Sequence, residues 1–428
     1  MNPRMMNHEP MTKESIGAET KSLAGFMGWF LVGALWVAYF INYTDRQSVF
    51  SMFPVLKRDL GFSDTQLGLI GSIFVWVYSI CGAFAGRIAD QFRRDWIVVL
   101  SAVLWSLTIV GTAFSTSVII FLFWRGLIAV TESLYVPAAL GLIATWHNGG
   151  TRTRAISIHC TAPPFGLAFG GWFGGWSAET IGWRVGFSIL GVIGIAYALL
   201  LFVLFRRFPT RSRRVTARPA TPWDILRSRC YLAETFAYFM FQLVLWVIYA
   251  WLPNFIYERY HLSMAESGLT ATLYLQSSTV VGVLAGGALG DWAHKRLRFS
   301  RFLICGSGLL VSCPFAYLLL ATHSLSMLKI FAAIFGLSVG LLISNSWAAA
   351  FDVVDERNYS FAAAFLNLTS GFAAGTGIFL VGLWKESAVS FMGWCTLVTA
   401  ASAILLMAVA VRYFDQDRNR LLSVSDTA

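Results

Sequence analysis

Long apolar segments, separated by short polar or charged ones, recur along the whole chain. Each is about as long as the roughly 20 residues that an α-helix needs to cross the hydrocarbon layer of a bilayer. Lipid offers the backbone no hydrogen bonds, so repeated segments of this kind predict an all-α integral membrane protein. Twelve transmembrane helices are expected, at residues 24–53, 66–86, 96–114, 118–143, 155–176, 184–205, 231–257, 268–290, 302–320, 325–350, 360–382 and 390–412.

The composition agrees with this pattern. Hydrophobic residues make up 57% of the 428 residues and charged residues 13%, which is not typical of soluble domains. The first 20 residues are polar, so a cleavable signal peptide is not expected. The six cysteines stand singly, without paired spacing or a histidine cluster. We therefore expect them to be packing residues, and no metal or cofactor site is predicted.

The net charge of +10 would suggest a nucleic-acid partner in a soluble protein. Here the bases cluster in alternate loops, and short basic loops remain in the cytoplasm. We therefore expect both termini to be cytoplasmic, a multi-pass location in a bacterial-type inner (plasma) membrane, a monomer in contact with lipid, and no nucleic-acid partner. The bases of these loops are Arg87, Arg93, Arg94, Arg152, Arg154, those of residues 206–229, and those of residues 294–301.

A basic stretch that contains three prolines divides six predicted helices from six others. Its composition is typical of a linker. The predicted organisation is a cytoplasmic tail at 1–23, a six-helix bundle at 24–205, a basic cytoplasmic linker at 206–230, a second six-helix bundle at 231–413, and a cytoplasmic tail at 414–428.

The two predicted bundles share a short motif. Gly86 and Asp90 frame a Gly-x-x-x-Asp sequence followed by bases that include Arg94, and the same pattern ends at Asp291, 201 residues later. The motif resembles the loop motif of the major facilitator superfamily. That resemblance implies two pseudo-symmetric bundles that transport by alternating access. It also implies gating roles for Gly86, Asp90, Arg94 and Asp291.

Four ionisable residues fall inside predicted helices. Asp45 and Arg46 belong to the first helix, and Arg125 and Glu132 belong to the fourth. An ionisable side chain at mid-membrane costs about 3 kcal/mol or more, so each of the four is a candidate functional residue. Arg125 and Glu132 are seven residues apart, so they project from one face of their helix with a rise of about 10 Å between them.

Depth along the helices predicts which charges pair. Asp45 and Arg125 lie at similar depth and are expected to pair, which leaves Arg46 and Glu132 facing a cavity. Two interpretations remain open. A neutral network that joins the two helices would be purely structural. Alternatively, a carboxylate beside a movable cation can exchange protons, and a guanidinium suits a carboxylate ligand, which together indicate an anion:proton symporter.

The Asn-Tyr-x-Asp-Arg sequence from residue 42, with Arg-x6-Glu from residue 125, resembles the anion:cation symporter branch of the superfamily. This branch includes bacterial sugar-acid:proton symporters. The resemblance implies that Asp45 and Glu132 carry protons, that Arg46 binds the carboxylate of a small organic anion, and that Arg125 completes the charge network. It further implies that the cavity is lined by Tyr43, Tyr78, Gln242, Ser344, Trp347 and Asn367. His159 is a further candidate for substrate contact.

Other classes of function are also considered. The same first-helix motif, with Ser-Asp-Thr-Gln-Leu-Gly at residues 63–68, resembles the Spinster-like branch, which includes lipid transporters. A membrane sensor or a channel is an alternative of another class, although a channel needs no paired halves around a charged site. An enzyme is not expected, because the sequence has no His-Glu-x-x-His or Walker-type motif.

Overall fold

A computed structural model describes residues 13–147, 151–208, 222–355 and 358–425. Residues 209–221 of the predicted linker lie outside these ranges, as does the side chain of Asp90. The described ranges contain fifteen α-helices, which are α1 Lys13–Ser51, α2 Phe53–Leu60, α3 Asp64–Gln91, α4 Arg94–Ala113, α5 Val118–Ser133, α6 Tyr135–Trp146, α7 Arg152–His159, α8 Ala162–Thr180, α9 Trp183–Arg207, α10 Arg229–Tyr260, α11 Met264–His294, α12 Ser300–Ala321, α13 Leu325–Asp352, α14 Tyr359–Leu383 and α15 Ala388–Ser425.

The structure confirms the all-α membrane fold. Within the described residues, 11 helical spans are long and apolar enough to cross a bilayer. They correspond to eleven of the twelve predicted segments. The remaining segment, predicted at 155–176, is divided into α7 and α8 and does not form one continuous span.

Prolines explain where two of the predicted helices are interrupted. Pro163 and Pro164 lack the N–H groups that would bond to the carbonyls four residues earlier, and the helix stops after His159. Pro137 likewise gives no bond to the carbonyl of Ser133, and α5 ends there before α6 begins. One interruption follows Glu132 and the other follows His159, both of which are candidate residues. The end of each helix therefore helps to set the direction in which these side chains project.

Small residues bring the helices of each half into close contact. We call α1–α9 the N-terminal half and α10–α15 the C-terminal half. Gly166, Gly170 and Gly174 of α8 pack directly on the backbone of α1, where any side chain would collide with carbonyl oxygens. Gly336 and Gly340 of α13 pack in the same way on α11. Close backbone approach of this kind is typical of helix packing in membranes.

The two halves meet at one end of the bundle. We call this the closed end; it carries residues 52–64, 180–183, 261–263, 322–324 and 384–387. Here the backbones of Gly171 on α8 and Gly268 on α11 are in contact, and Gly68 on α3 packs against Gly382 on α14. The Ser72 hydroxyl donates to the Gly375 carbonyl at 2.6 Å.

Polar contacts also join the halves at the closed end. The Lys385 ammonium donates to Asp64 at 3.2 Å and also contacts Glu258. The Glu179 carboxylate accepts hydrogen bonds from the backbone N–H groups of Met264 and Ala265. Those groups begin α11, where the helix dipole favours a negative charge. These contacts therefore stabilise the conformation in which this end is closed.

At the opposite end the halves are apart. We call this the open end; of the described residues it carries 91–94, 147, 151–152, 208, 222–229, 295–300, 353–355 and 358. A side chain added at Gly82 or Gly86 of α3 would meet no atom within 4 Å among the described residues. Phe84 and Ile88 of the same helix are exposed. The described hydrogen bonds and close contacts between the halves lie toward the closed end and the middle of the bundle.

Two of the four predicted gating residues, Arg94 and Asp291, lie at the open end and contact their own halves. Arg94 donates to the Gly141 carbonyl of α6 at 3.2 Å. Asp291 is 3.5 Å from Arg301, which also donates to Asp352 at 2.9 Å. Gly86 faces open space. These described contacts do not join the two halves, as expected for an end that has opened.

The contact between Gly171 and Gly268 generates a prediction about conformational equilibrium. Gly268→Ala places a methyl group against the Gly171 carbonyl, and overpacking of this kind costs about 1–3 kcal/mol. We expect the closed end to open more often, which spin labels at exposed positions 58 and 386 would report as longer distances. Cys81 and Cys160 are first replaced by serine. Gly287→Ala on the same helix, which meets no neighbour within 4 Å, is the control. Equal distance distributions in the two variants would contradict this account.

Candidate functional site

Four buried charges meet between α1 and α5, near the middle of the N-terminal half. Asp45 and Arg125 are 0% exposed, Glu132 is 1% exposed and Arg46 is 3% exposed. α1 presents the first acid and base on adjacent residues, and α5 presents the others two turns apart. The set contains two acids and two bases, so its formal charge is zero when all four are ionised. Neutrality reduces the cost of burial but does not remove it.

Arg46 and Glu132 form the tighter of the two ion pairs. The Arg46 Nη2 donates to the Glu132 Oε2 at 2.8 Å. The same nitrogen lies 3.3 Å from the Oδ1 of Asn42, one turn earlier on α1. A charge-assisted hydrogen bond at this distance is short and strong. Glu132 is therefore held by a cation that comes from a different helix.

Three aromatic rings enclose the Arg46 guanidinium. Its Cζ is 4.3 Å from the ring centroid of Tyr43, 4.7 Å from that of Phe74 and 4.8 Å from that of Tyr78. Ring faces attract cations, and the attraction grows when water is excluded. α3 supplies two of these rings, so the position of Arg46 depends on three helices. The cage also fixes the plane of the guanidinium, which orients its hydrogen-bond donors.

Asp45 and Arg125 form a looser pair. The Oδ2 of Asp45 is 3.9 Å from the Nη1 of Arg125. Both oxygens of Asp45 and all three nitrogens of Arg125 are buried without a hydrogen-bond partner among the described residues. Arg125 also lies 5.0 Å from the ring centroid of Phe74. The pair is held by charge attraction without a hydrogen bond, so its groups retain unused hydrogen-bonding capacity.

The structure places Asp45 beside Arg125, which is the pairing expected from depth. It also bonds Arg46 to Glu132, two residues that the sequence analysis expected to face a cavity without predicting a bond between them. The difference has a physical cause. α5 approaches α1 closely enough for the Glu132 side chain to reach the guanidinium, so an unbonded arrangement would leave both charges buried and uncompensated.

The remaining predicted residues of the N-terminal half are close to this site. Tyr43 and Tyr78 contact Arg46 as part of its cage. His159 is buried and stacks on Tyr39, with ring centroids 4.8 Å apart and planes 12° apart. Neither ring nitrogen of His159 has a hydrogen-bond partner among the described residues. Its two nitrogens are thus available to a ligand, but the stacked position is equally compatible with packing.

The predicted residues of the C-terminal half are more dispersed. Trp347 is partly buried and packs on Tyr238. The Ser344 hydroxyl accepts a hydrogen bond from Asn345 at 3.1 Å and lies where a side chain on the Gly286 backbone would be. Gln242 is partly buried and Asn367 is exposed. The described contacts therefore do not bring these residues to Arg46.

Sequence reasoning did not assign a role to some residues that the structure places here. Asn42 lies four residues before Arg46, a spacing that puts both on one helix face, so its contact could have been predicted. Phe74 has no comparable signal, because apolar helices contain many phenylalanines. Glu234 of the C-terminal half is 1% exposed. Glu234 is an ionisable residue inside a predicted transmembrane helix, which is the criterion that selected Asp45, Arg46, Arg125 and Glu132. The sequence analysis could therefore have selected it as well.

Comparison with known proteins gives the chain a family context. A profile described as the Major Facilitator Superfamily matches residues 35–378. The chain is 28% identical over 305 residues to a probable sulfoacetate transporter, SauU, of Cupriavidus necator, which covers 67% of this chain and 70% of that protein. It is 25% identical over 397 residues to the hexuronate transporter of Bacillus subtilis, which covers 89% of this chain and 93% of that protein.

The fold also resembles a solved structure. A bacterial homologue of the human lysosomal transporter Spinster, in an inward-facing and unoccupied conformation, superposes with a TM-score of 0.71. The match covers 92% of this chain and 97% of that chain, at 20% sequence identity. At this identity the likeness concerns the fold.

The pairing of Asp45 with Arg125 generates a stability prediction. Arg125→Leu leaves a buried carboxylate without its cation, which costs about 3–5 kcal/mol, and we expect a clearly lower melting temperature in detergent. Adding Asp45→Asn removes the stranded charge, so the double variant should regain most of the loss. Arg58→Leu, at an arginine whose side chain is 74% exposed, should change little. A double variant less stable than Arg125→Leu would contradict the pairing.

Proposed function

The chain belongs to the major facilitator superfamily and is a membrane transporter rather than an enzyme. We propose that it is a proton-coupled symporter of a small organic anion, such as a sugar acid. The observation that carries the proposal is the buried ion pair of Arg46 with Glu132, at 2.8 Å in an aromatic cage. The relatives named for hexuronate and sulfoacetate support an anionic substrate.

The pair links anion binding to proton binding. A substrate carboxylate that reaches Arg46 competes with Glu132 for the same guanidinium, whose planar donors suit either carboxylate. If the substrate wins, Glu132 is left buried without its cation. A buried carboxylate in that position is neutralised most easily by binding a proton. One anion and one proton would then enter the site together.

The second pair supplies a further proton site of different affinity. Asp45 and Arg125 are 3.9 Å apart, so this acid is less firmly held by its cation than Glu132 is. We assign Asp45 the exchange of a proton with one side of the membrane, and Glu132 the step linked to substrate. Staged protonation of this kind requires two acids at different depths in the membrane. We assign these positions to Asp45 of α1 and Glu132 of α5.

Alternating access would follow from the two halves. We propose that residues 24–205 and 231–413 move as bundles joined by the linker at 206–230, with the tails 1–23 and 414–428 in the cytoplasm of a bacterial-type cell. Arg93, Arg94, Arg152, Lys295 and Arg296 lie at the open end, which supports a cytoplasmic position for that end because short basic loops remain in the cytoplasm. The structure would then correspond to an inward-facing conformation of a monomer.

A second candidate is a Spinster-like lipid or lysophospholipid transporter. Two observations favour it: the three rings around Arg46 would also suit a phosphate carried on an apolar molecule, and the fold matches a Spinster homologue. Counterflow in proteoliposomes distinguishes the two. The probes are glucuronate, galactarate, sulfoacetate and a lysophospholipid, and the anion proposal expects exchange with one or more of the first three and none with the lipid.

The role of Glu132 generates a prediction about coupling. Glu132→Gln resembles the protonated acid in shape and hydrogen bonding, so the variant should bind substrate and exchange it at equal pH. It has no proton to release, so accumulation driven by a pH gradient should be lost. Both activities are measured in the same proteoliposomes with the probe that gave counterflow.

The control for this experiment is Glu266→Gln, an exposed acid that begins α11. Glutamine can keep the capping hydrogen bonds of that position, so both exchange and accumulation should match the parent protein. Accumulation by Glu132→Gln at the parent level would show that Glu132 does not carry the coupled proton. The buried charges would then be better described as a structural connection between α1 and α5.

A further inference from the structure

The C-terminal half contains a buried acid of its own. Glu234 lies on α10, within two turns of the first residue, Arg229, and is 1% exposed. Its Oε2 is buried and has no hydrogen-bond partner among the residues that the structure describes. A carboxyl group in such a position is costly when ionised, because burial removes its hydration. An apolar residue would pack there without that cost.

The surroundings of Glu234 do not supply a compensating cation. The groups that act on it are the Ser346 hydroxyl of α13, the phenol of Tyr238 one turn further along α10, and the Cys305 thiol of α12. None of these is positively charged. Arg301 of α12 is engaged with Asp352 at 2.9 Å. Among the described residues, Glu234 forms no ion pair.

Ser346 of α13 is a polar neighbour of Glu234. Its Oγ donates to the Leu342 carbonyl of its own helix at 3.1 Å and lies 3.7 Å from the Cys305 Sγ. Both of these neighbours are neutral, so neither offsets the cost of burying an ionised Glu234. A buried carboxyl group without a cation is held most easily as the neutral acid.

Glu234 has a neighbour in the direction of the charged site. Tyr238 lies within electrostatic range of both Glu234 and Tyr43 of the other half, and Tyr43 stacks on Arg46 at 4.3 Å. In the other direction, the beginning of α10 belongs to the open end, about 8 Å along the helix axis from Glu234. The acid is thus placed between the solvent at the open end and the site around Arg46.

We propose that Glu234 is a proton-binding site of the C-terminal half, which holds a proton in this conformation and exchanges it at the open end during transport. The transport part of this statement rests on the proposed symport. The step itself is a protonation, in which a solvent proton binds a carboxylate oxygen and later returns to solvent. Each half would then contribute an acid to the coupling.

Infrared spectroscopy tests the protonation without any substrate. Purified protein in lipid is titrated with pH, and the C=O stretching band of protonated carboxyl groups is recorded. Glu234→Gln should lose a titrating band that the parent shows, and Ser346→Ala should shift the frequency of that band without removing it. Glu266→Gln is the control and should leave the band unchanged. Superimposable parent and Glu234→Gln spectra at every pH would overturn the proposal.

Transport measurements test whether the proton takes part in the cycle. Glu234→Gln should exchange the counterflow probe at equal pH, but should reach a lower accumulation ratio at a given pH gradient, because fewer protons move with each substrate. An accumulation ratio equal to that of the parent overturns the coupling role. If the parent itself does not accumulate substrate with a pH gradient, the symport proposal fails, and the infrared titration still decides whether Glu234 binds a proton.

Discussion

The ion pair between Arg46 and Glu132 is the interaction on which the rest of the site depends. Its atoms are 2.8 Å apart and both side chains are almost fully buried. Removing either partner leaves an uncompensated charge in a region of low polarity, which costs several kcal/mol. The arrangement is therefore stable only while the guanidinium has a carboxylate. If another anion replaces Glu132 at the guanidinium, the displaced carboxylate needs a new source of positive charge. Binding a proton is the simplest way to neutralise it.

The fold supports this pair through close helix packing. Gly166, Gly170 and Gly174 allow α8 to lie directly on α1, which fixes the helix that carries Asp45 and Arg46. The other face of α8 meets α11 of the C-terminal half at the closed end. α8 thus connects the contact between the two halves to the backbone next to the charges. At the edge of the closed end the halves also meet through polar contacts, such as that of Lys385 with Asp64.

Much of the fold could be predicted from the sequence, because lipid imposes one solution on an apolar segment. The four charges could also be found, since an ionisable residue in such a segment is conspicuous. The break after His159 could have been predicted from Pro163 and Pro164. It was missed because the helices were predicted from the length of the apolar segments alone. Phe74 could not be assigned to the cage, because only the packing of α3 beside α5, which brings this ring to Arg46 and Arg125, distinguishes it from other phenylalanines. The conformational state could not be predicted, because the apolar pattern does not specify at which end the two halves meet.

Proton uptake on substrate binding tests the central claim most directly. The purified protein is titrated in a calorimeter with glucuronate, or with whichever anion gives counterflow. The titration is repeated in buffers of different ionisation enthalpy, and the change in binding heat from buffer to buffer gives the number of protons taken up. Competition between the substrate and Glu132 for Arg46 predicts an uptake of about one proton per anion bound, since one carboxylate loses its cation. Glu132→Gln should bind with less proton uptake. Binding by the parent protein without any proton uptake would contradict the account.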